Sequence, residues 1–127
     1  MMRDSKLWTW HLAAGVVILV FLGLHMAVMH LDAIIHLAGF NPAGGHPVDW
    51  ANVAARAKSA FLAVTYVVLL GAALFHGLYG LRNILLELNP GRGVAAAISA
   101  VLLVGGIGLF VLGTWAAFAS LALARAM

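Results

Sequence analysis

The chain has 127 residues, of which 65% are hydrophobic and only 9% are charged, and its mean hydropathy is +1.07. Soluble domains carry about 25% charged residues, so this composition excludes an ordinary water-soluble protein and indicates one that resides in a bilayer. The net charge of +3 does not point to nucleic acid, because the seven basic residues are scattered near the ends of apolar runs, where Lys and Arg anchor to headgroups. The absence of cysteine excludes a disulfide, an iron–sulfur cluster and thiolate chemistry in this chain.

Three apolar runs predict three transmembrane helices, since each exceeds the roughly 20 residues that cross a hydrocarbon core. We expect these helices at about 8–36, 59–88 and 94–124, in a single membrane-anchor domain over 1–127. The predicted fold class is therefore an all-α integral membrane protein. The first run is about twice as long as the apolar region of a signal peptide and lacks a clear cleavage site, which favours a retained helix.

The amino-terminal segment MMRDSK is expected to be a short polar tail, followed by Trp8 and Trp10 at the membrane interface. The balance of basic residues between the two ends of the helices predicts that the amino terminus is cytoplasmic. The residues that carry this prediction are Arg3, Lys6, Arg82 and Arg92 at one end and Arg56, Lys58 and Arg125 at the other.

The two connections between the helices differ in character. The loop at 37–58 is rich in Pro and Gly, but Asp49 is expected to cap a short helix that ends near Arg56 and rests on the membrane; an irregular loop is the alternative. The segment ELNPGRG at 87–93 predicts a tight turn between antiparallel neighbours. In the third helix, GGIG at 105–108 predicts close backbone contact, so a packing role is expected.

Six histidines are a surplus in so apolar a chain. At about 100° per residue, His11, His25 and His36 fall within roughly 40° of one another on the first helix, and Asp32 shares their stripe. Hydrocarbon cannot satisfy polar side chains, so this stripe should face partner helices or a bound group. For His11, His30 and His36, which lie nearer the interface, a solvated or headgroup-bonded histidine is the alternative.

The second helix has a similar polar face, formed by Thr65, His76, Gly80, Asn83 and Glu87. Gly80 follows His76 by one turn. That combination suits a planar macrocycle, because the imidazole can bind iron while the glycine lets the ring lie against the backbone. The alternative is that His76 is a helix-packing histidine bonded to a neighbouring backbone carbonyl.

Depth in the bilayer separates the two candidate iron ligands. With helix centres near residues 20 and 73, His25 lies about 7 Å to one side of the midplane and His76 about 5 Å to the other. Axial nitrogens on one iron are only about 4 Å apart. We therefore expect His25 and His76 to ligate separate haems, each completed by another subunit, or only one of them to bind haem. The side chains expected near haem propionates are His11 and Arg82 for an inner haem and His30 for an outer one.

The stretch HGLYGLRNILLE resembles the pattern H-x-x-x-G-[IL]-R-x-[IL]-x-x-[DE] of the haem-binding membrane-anchor subunits of succinate:quinone oxidoreductases, the succinate dehydrogenases and fumarate reductases. The match covers His76, Gly80, Arg82 and Glu87. The stretch WTWHLAAGVVILVFLGLHM is similar to their first helix. His11 and Gly15 stand at the H-R-x-[ST]-G motif, and His25 falls where di-haem anchors carry a ligand.

This resemblance implies a non-catalytic subunit of an oxidoreductase, forming one half of a multi-subunit helix bundle in the cell (inner) membrane. Its partners would be a flavoprotein subunit, an iron–sulfur subunit and a second hydrophobic anchor subunit. It would relay electrons between the iron–sulfur subunit and a quinone, either menaquinone or ubiquinone. One or two haem b groups, shared with the second anchor, would be held by His76 and His25, with Arg82 and His11 near propionates.

The chain departs from the family pattern at two positions, since Leu12 and Ala14 replace an arginine and a hydroxyl-bearing residue. The quinone site is consequently expected either in another subunit or at Ser5, Trp8, Trp10 and His11. Three rival interpretations stay open: an anchor with one haem at His76, a non-haem membrane scaffold or transporter subunit, and a cytochrome that serves a hydrogenase or formate dehydrogenase.

Overall fold

The computed structural model describes residues 2–31, 37 and 46–126, with the side chains of residues 2–4 and 28–30 left out. This part of the chain forms four α-helices and no strand. They are α1 (Met2–His30), α2 (Trp50–Ala57), α3 (Ala60–Glu87) and α4 (Arg92–Ala126). Helices α1, α3 and α4 are long and apolar enough to cross a membrane, which confirms the predicted all-α fold with three spans.

The amino-terminal prediction is wrong in one respect, because the segment expected to be a polar tail is helical. Helix α1 begins at Met2, six residues before the predicted start. An exposed helix tolerates charged side chains, so the polar composition of this segment did not end the helix. Trp8 and Trp10 are 57% and 67% exposed, as residues of an interfacial aromatic belt would be. Helix α1 ends at His30 and Leu31 is not helical, so the first helix ends six residues before the predicted boundary at 36; residues 32–36 lie outside the described part of the chain.

The predicted tight turn joins α3 to α4 through residues 88–91. Asn89 has a φ of 50° and is followed by Pro90. Asparagine is one of the few residues that adopt the left-handed region readily, and proline cannot continue the preceding helix. At the other end of α3, the Ser59 hydroxyl accepts a hydrogen bond from the backbone N–H of Leu62 at 3.3 Å.

Helix α3 lies between α1 and α4, which make no contact with each other in the part of the chain described. The three spans therefore form an open layer rather than a closed bundle. Along α1 and α3 the contacts advance in opposite directions: His11 lies over Gly80, Gly15 over His76, and His25 beside Tyr66. This antiparallel register fixes which residues of the two helices lie at the same level.

Few residues of the described spans are fully buried inside the chain. The buried hydrophobic residues are Ala14, Ala63, Leu121 and Ala124. In the most apolar stretch of α4 no residue is buried. A bilayer removes the need for a water-excluding core, so these exposed faces are available to lipid or to other helices.

The close contact predicted for GGIG occurs at one of its glycines. A Cβ at Gly106 would lie 2.6 Å from the Leu78 Cδ1 atom, so the absence of a side chain lets α4 approach α3 there. Nothing in the described structure lies within 4 Å of a Cβ built at Gly105 or Gly108. Those two glycines make no close contact within the described chain, so for them the prediction of close contact stays a prediction.

The predicted interfacial helix exists as α2, over Trp50–Ala57, but Asp49 does not cap it with its side chain. The Asp49 carboxylate accepts a hydrogen bond from the His46 N–H at 3.0 Å and stabilises the preceding turn instead. Asn52 and Arg56 point inward and donate hydrogen bonds to the carbonyls of His46 and Pro47. The outer side carries Trp50, which is 73% exposed.

Candidate functional site

Two histidines from different helices are stacked at the contact between α1 and α3. The rings of His11 and His76 have centroids 4.0 Å apart and planes inclined by only 6°. Both side chains are partly buried. The sequence predicted that each histidine faces inward, and the structure confirms this by bringing the two together.

The stacked pair depends on two glycines, one on each helix, and each glycine makes room for the histidine of the opposite helix. Each histidine is followed four residues later by a glycine on the same face, and each imidazole lies over the glycine of the opposite helix. A Cβ at Gly15 would lie 3.2 Å from the His76 Cε1 atom, and one at Gly80 would lie 3.4 Å from the His11 Cε1 atom. The space beside Gly80 therefore holds the ring of His11.

The orientation of His76 is fixed by a hydrogen bond to the backbone of α1. Its Nδ1 atom lies 3.0 Å from the carbonyl oxygen of His11. Because a carbonyl oxygen can only accept, Nδ1 carries the hydrogen, and Nε2 keeps its lone pair in the neutral ring. This bond is the contact expected of a helix-packing histidine. It is also the second contact that metal-ligating histidines ordinarily make through the nitrogen that does not bind the metal.

His11 has a polar atom without a partner. Its Nδ1 atom is buried and makes no hydrogen bond to any of the described residues. Such an atom is costly in an apolar setting unless a bound group or another chain satisfies it. The His11 ring also contacts Tyr79 at a centroid distance of 5.2 Å, and Tyr79 stacks on Phe75 at 5.7 Å. Tyr79 thus packs between the His11 ring and Phe75.

His25 occupies a separate position on the same side of α1. It makes an edge-to-face contact with Tyr66, with ring centroids 6.0 Å apart. Tyr66 precedes His76 by ten residues on α3, so the two histidines differ in level by about 15 Å. They cannot ligate one iron, in agreement with the prediction from depth. Asp32 and His36 lie outside the described residues, as does the side chain of His30.

Arg82 faces α4 and not the histidine pair. Its Nε–H donates a hydrogen bond to the Ser99 hydroxyl at 2.9 Å, and that hydroxyl donates to the Ala95 carbonyl. Six residues separate His76 from Arg82, which places them about 120° apart around α3. Glu87 is exposed, and among the described residues it forms no ion pair with Arg82.

A groove that the sequence did not reveal opens beside Arg82. It has a volume of about 820 Å³ and is lined by α3 and α4, with Leu7 of α1 at its edge. His11 and His76 do not line it, so this groove and the histidine pair are distinct features. Ser99 was the feature of the sequence that could have indicated this groove, since a hydroxyl among the apolar residues of a predicted span marks a face with a polar partner.

The residues predicted for a quinone site lie near the start of α1. Trp8 and Trp10 are exposed, and Ser5 is also exposed, with its carbonyl oxygen accepting a hydrogen bond from the Thr9 hydroxyl at 2.9 Å. Neither tryptophan lines the groove beside Arg82. Of the four predicted residues, His11 is the one that takes part in the stacked pair.

Within the described residues there is no cluster of three or more histidine and carboxylate side chains that could hold a bare metal ion. The donor set of His11 and His76 is instead of the kind that supplies an axial nitrogen to a metal already held in a macrocycle. Comparison of the chain with protein-family models, with curated proteins and with solved structures found no match.

Proposed function

We propose that this chain is a membrane-anchor and electron-transfer subunit of a succinate:quinone oxidoreductase, with His76 as an axial ligand of a b-type haem. The observation that carries the proposal is the bond from His76 Nδ1 to the His11 carbonyl, which leaves Nε2 unprotonated at the interface of two spans. Held by His76 and by an imidazole of another subunit, such a haem would supply single-electron transfer.

The residues around His76 are suited to holding an axial ligand. The His11 carbonyl sets the tautomer and the ring orientation, and such a contact typically changes metal affinity 10–100-fold when it is removed. Gly15 allows the imidazole of His76 to lie close to α1.

The opposite axial ligand belongs, in this proposal, to a second hydrophobic anchor subunit that covers the exposed apolar faces of the spans. A flavoprotein and an iron–sulfur subunit dock at the cytoplasmic side, where the amino terminus lies, and the membrane is the cell (inner) membrane. His25, about 15 Å away in level, supplies a ligand to a second haem. The quinone, menaquinone or ubiquinone, binds near Ser5, Trp8, Trp10 and His11 or in the partner subunit.

The test is an absorption measurement on the complex purified with this chain from its own membranes in mild detergent. Reduced-minus-oxidised spectra and the molar ratio of haem to chain are compared for the wild type and three variants. His76→Gln and His25→Gln remove the candidate ligands. His46→Gln is the control, because the His46 side chain is exposed outside the spans and only its backbone is hydrogen-bonded.

The wild-type complex should show b-type bands, and His76→Gln should lose one haem per chain while His46→Gln retains all of it. Loss of a second haem in His25→Gln indicates a two-haem anchor, and full retention indicates a single haem at His76. A colourless wild-type complex overturns the proposal and favours a non-haem scaffold or transporter subunit. Haem together with hydrogenase or formate dehydrogenase subunits would refute the assignment to a succinate:quinone oxidoreductase.

A further inference from the structure

The groove beside Arg82 has the dimensions of a ligand site. Its volume of about 820 Å³ falls within the usual range for small-molecule pockets, about 300–1,000 Å³. On α3 its lining runs from Gly71 to Asn83, which corresponds to about 18 Å along the helix axis. The groove is open along one side, so a ligand can enter it from the surrounding bilayer.

One end of this groove is cationic and the rest is apolar. Arg82, Asn83 and Ser99 line the polar end. The bond from Arg82 Nε to Ser99 fixes the guanidinium across the groove, and its two terminal amino groups have no hydrogen-bond partner among the described residues. No carboxylate lines the groove, so the charge of Arg82 is not neutralised there.

The polar end of the groove lies near the edge of the hydrocarbon core, from which the long arginine side chain can reach lipid headgroups. Arg82 is about 13 Å along the axis from the middle of α3, and the hydrocarbon core extends about 15 Å on each side of the midplane. From there the apolar lining, which includes Leu74, Phe75 and Phe110, continues toward the membrane centre. The groove thus follows the direction in which a lipid molecule lies in its own leaflet.

We propose that this groove binds one anionic phospholipid, with its phosphate on Arg82 and an acyl chain along the apolar part. The free donors of a guanidinium match phosphate oxygens in geometry and charge. A headgroup of net negative charge leaves no ammonium to be neutralised, whereas a zwitterionic headgroup brings one to a groove without a carboxylate. A quinone offers neutral carbonyls and a weaker match to the guanidinium. This lipid site does not depend on the proposed haem function.

The test uses the complete complex, purified with this chain in mild detergent and transferred to nanodiscs of equal parts phosphatidylglycerol and phosphatidylcholine. Native mass spectrometry counts the lipids retained per chain. Arg82→Gln removes the charge, and Arg82→Lys keeps it and serves as a check on folding. The control Arg92→Gln removes an exposed arginine at the same end of the layer that does not line the groove.

A second pair of variants tests the apolar part of the groove. Leu103 lines it and is 64% exposed, so Leu103→Trp should fill it and displace the lipid. Leu109 is 53% exposed on α4 outside the groove, so Leu109→Trp is the matched control. Haem content is measured in the same samples, which separates failure of this proposal from failure of the haem assignment.

The expected result is one retained phosphatidylglycerol per wild-type chain. Arg82→Gln should reduce its preference over phosphatidylcholine about tenfold, as loss of a charged hydrogen bond implies. Arg82→Lys, Arg92→Gln and Leu109→Trp should retain it, and Leu103→Trp should lose it. Equal retention by Arg82→Gln and the wild type overturns the proposal. So does recovery of a quinone from the groove, or loss of haem rather than lipid in Arg82→Gln.

Discussion

The two glycines of the histidine pair should differ in their response to the same substitution. A methyl group at Gly15 would lie 3.2 Å from the His76 Cε1 atom and 3.4 Å from its Nδ1 atom. The ring must then move by a few tenths of an ångström, which disturbs its hydrogen bond to the His11 carbonyl. At Gly80 the methyl would meet His11 at 3.4 Å, which is close to an ordinary van der Waals contact, so little adjustment is needed.

The magnitude follows from three contributions. Overpacking costs about 1–3 kcal/mol, and weakening the bond from His76 to the His11 carbonyl adds up to about 1 kcal/mol. Replacement of glycine by alanine within a helix stabilises the helix by up to about 1 kcal/mol, and this gain is the same at either position. Gly15→Ala should therefore be less stable than Gly80→Ala by about 2 kcal/mol.

The assay is denaturant unfolding of the full-length chain, purified from membranes in mild detergent, for the wild type and both variants. Nitrogen NMR of labelled histidine gives an independent measurement, since the wild type should show His76 protonated at Nδ1 and Gly15→Ala should weaken that signal. Equal destabilisation by the two variants would refute the reasoning. So would a His76 ring that is protonated at Nε2 in the wild type.

Three further predictions concern the connections and the assembly. Asn89→Gly should leave stability within about 0.5 kcal/mol, and Asn89→Val should cost about 1–2 kcal/mol because φ is 50° there; equal unfolding midpoints would contradict this. Asn52→Leu removes the donor to the His46 carbonyl at 3.1 Å and should destabilise the local structure by about 1–3 kcal/mol. The measurement is the rate of proteolysis near residue 46, which should increase in this variant. The control Ala51→Leu should not change that rate. Deletion of the partner subunits should lower both haem content and the amount of this chain in membranes, measured by spectra and immunoblotting; unchanged accumulation would contradict the proposed assembly.

The helices and their antiparallel order could be predicted because they depend on local properties of the sequence. Hydropathy and length identified the three spans, and the Asn89–Pro90 turn made the last two neighbours. The start of α1 at Met2 could not be predicted, because charged residues are compatible with both an exposed helix and a tail. The same periodicity argument placed His11 and His76 on inward faces of their helices.

The contacts within the candidate site depend on register, which one sequence does not determine. The stacking of His11 on His76 requires a particular sliding position of α1 against α3, set by the fit of both rings over opposing glycines. The partner of Arg82 is another example. Its bond to Ser99 joins residues on adjacent helices, whereas Glu87 lies only five residues away along the chain, so proximity in the sequence does not identify the partner.

The reciprocal arrangement of the two imidazoles has a consequence for how the spans assemble after insertion. Sliding α3 by one turn along α1 in one direction would bring the two rings to the same level, and sliding it in the other direction would bring the two glycines together and leave a void. Steric collision would penalise the first displaced state, and lost dispersion would penalise the second. The stacked histidine pair thus fixes the axial register of α1 against α3. Without it, two apolar helices in lipid could shift along each other at little cost.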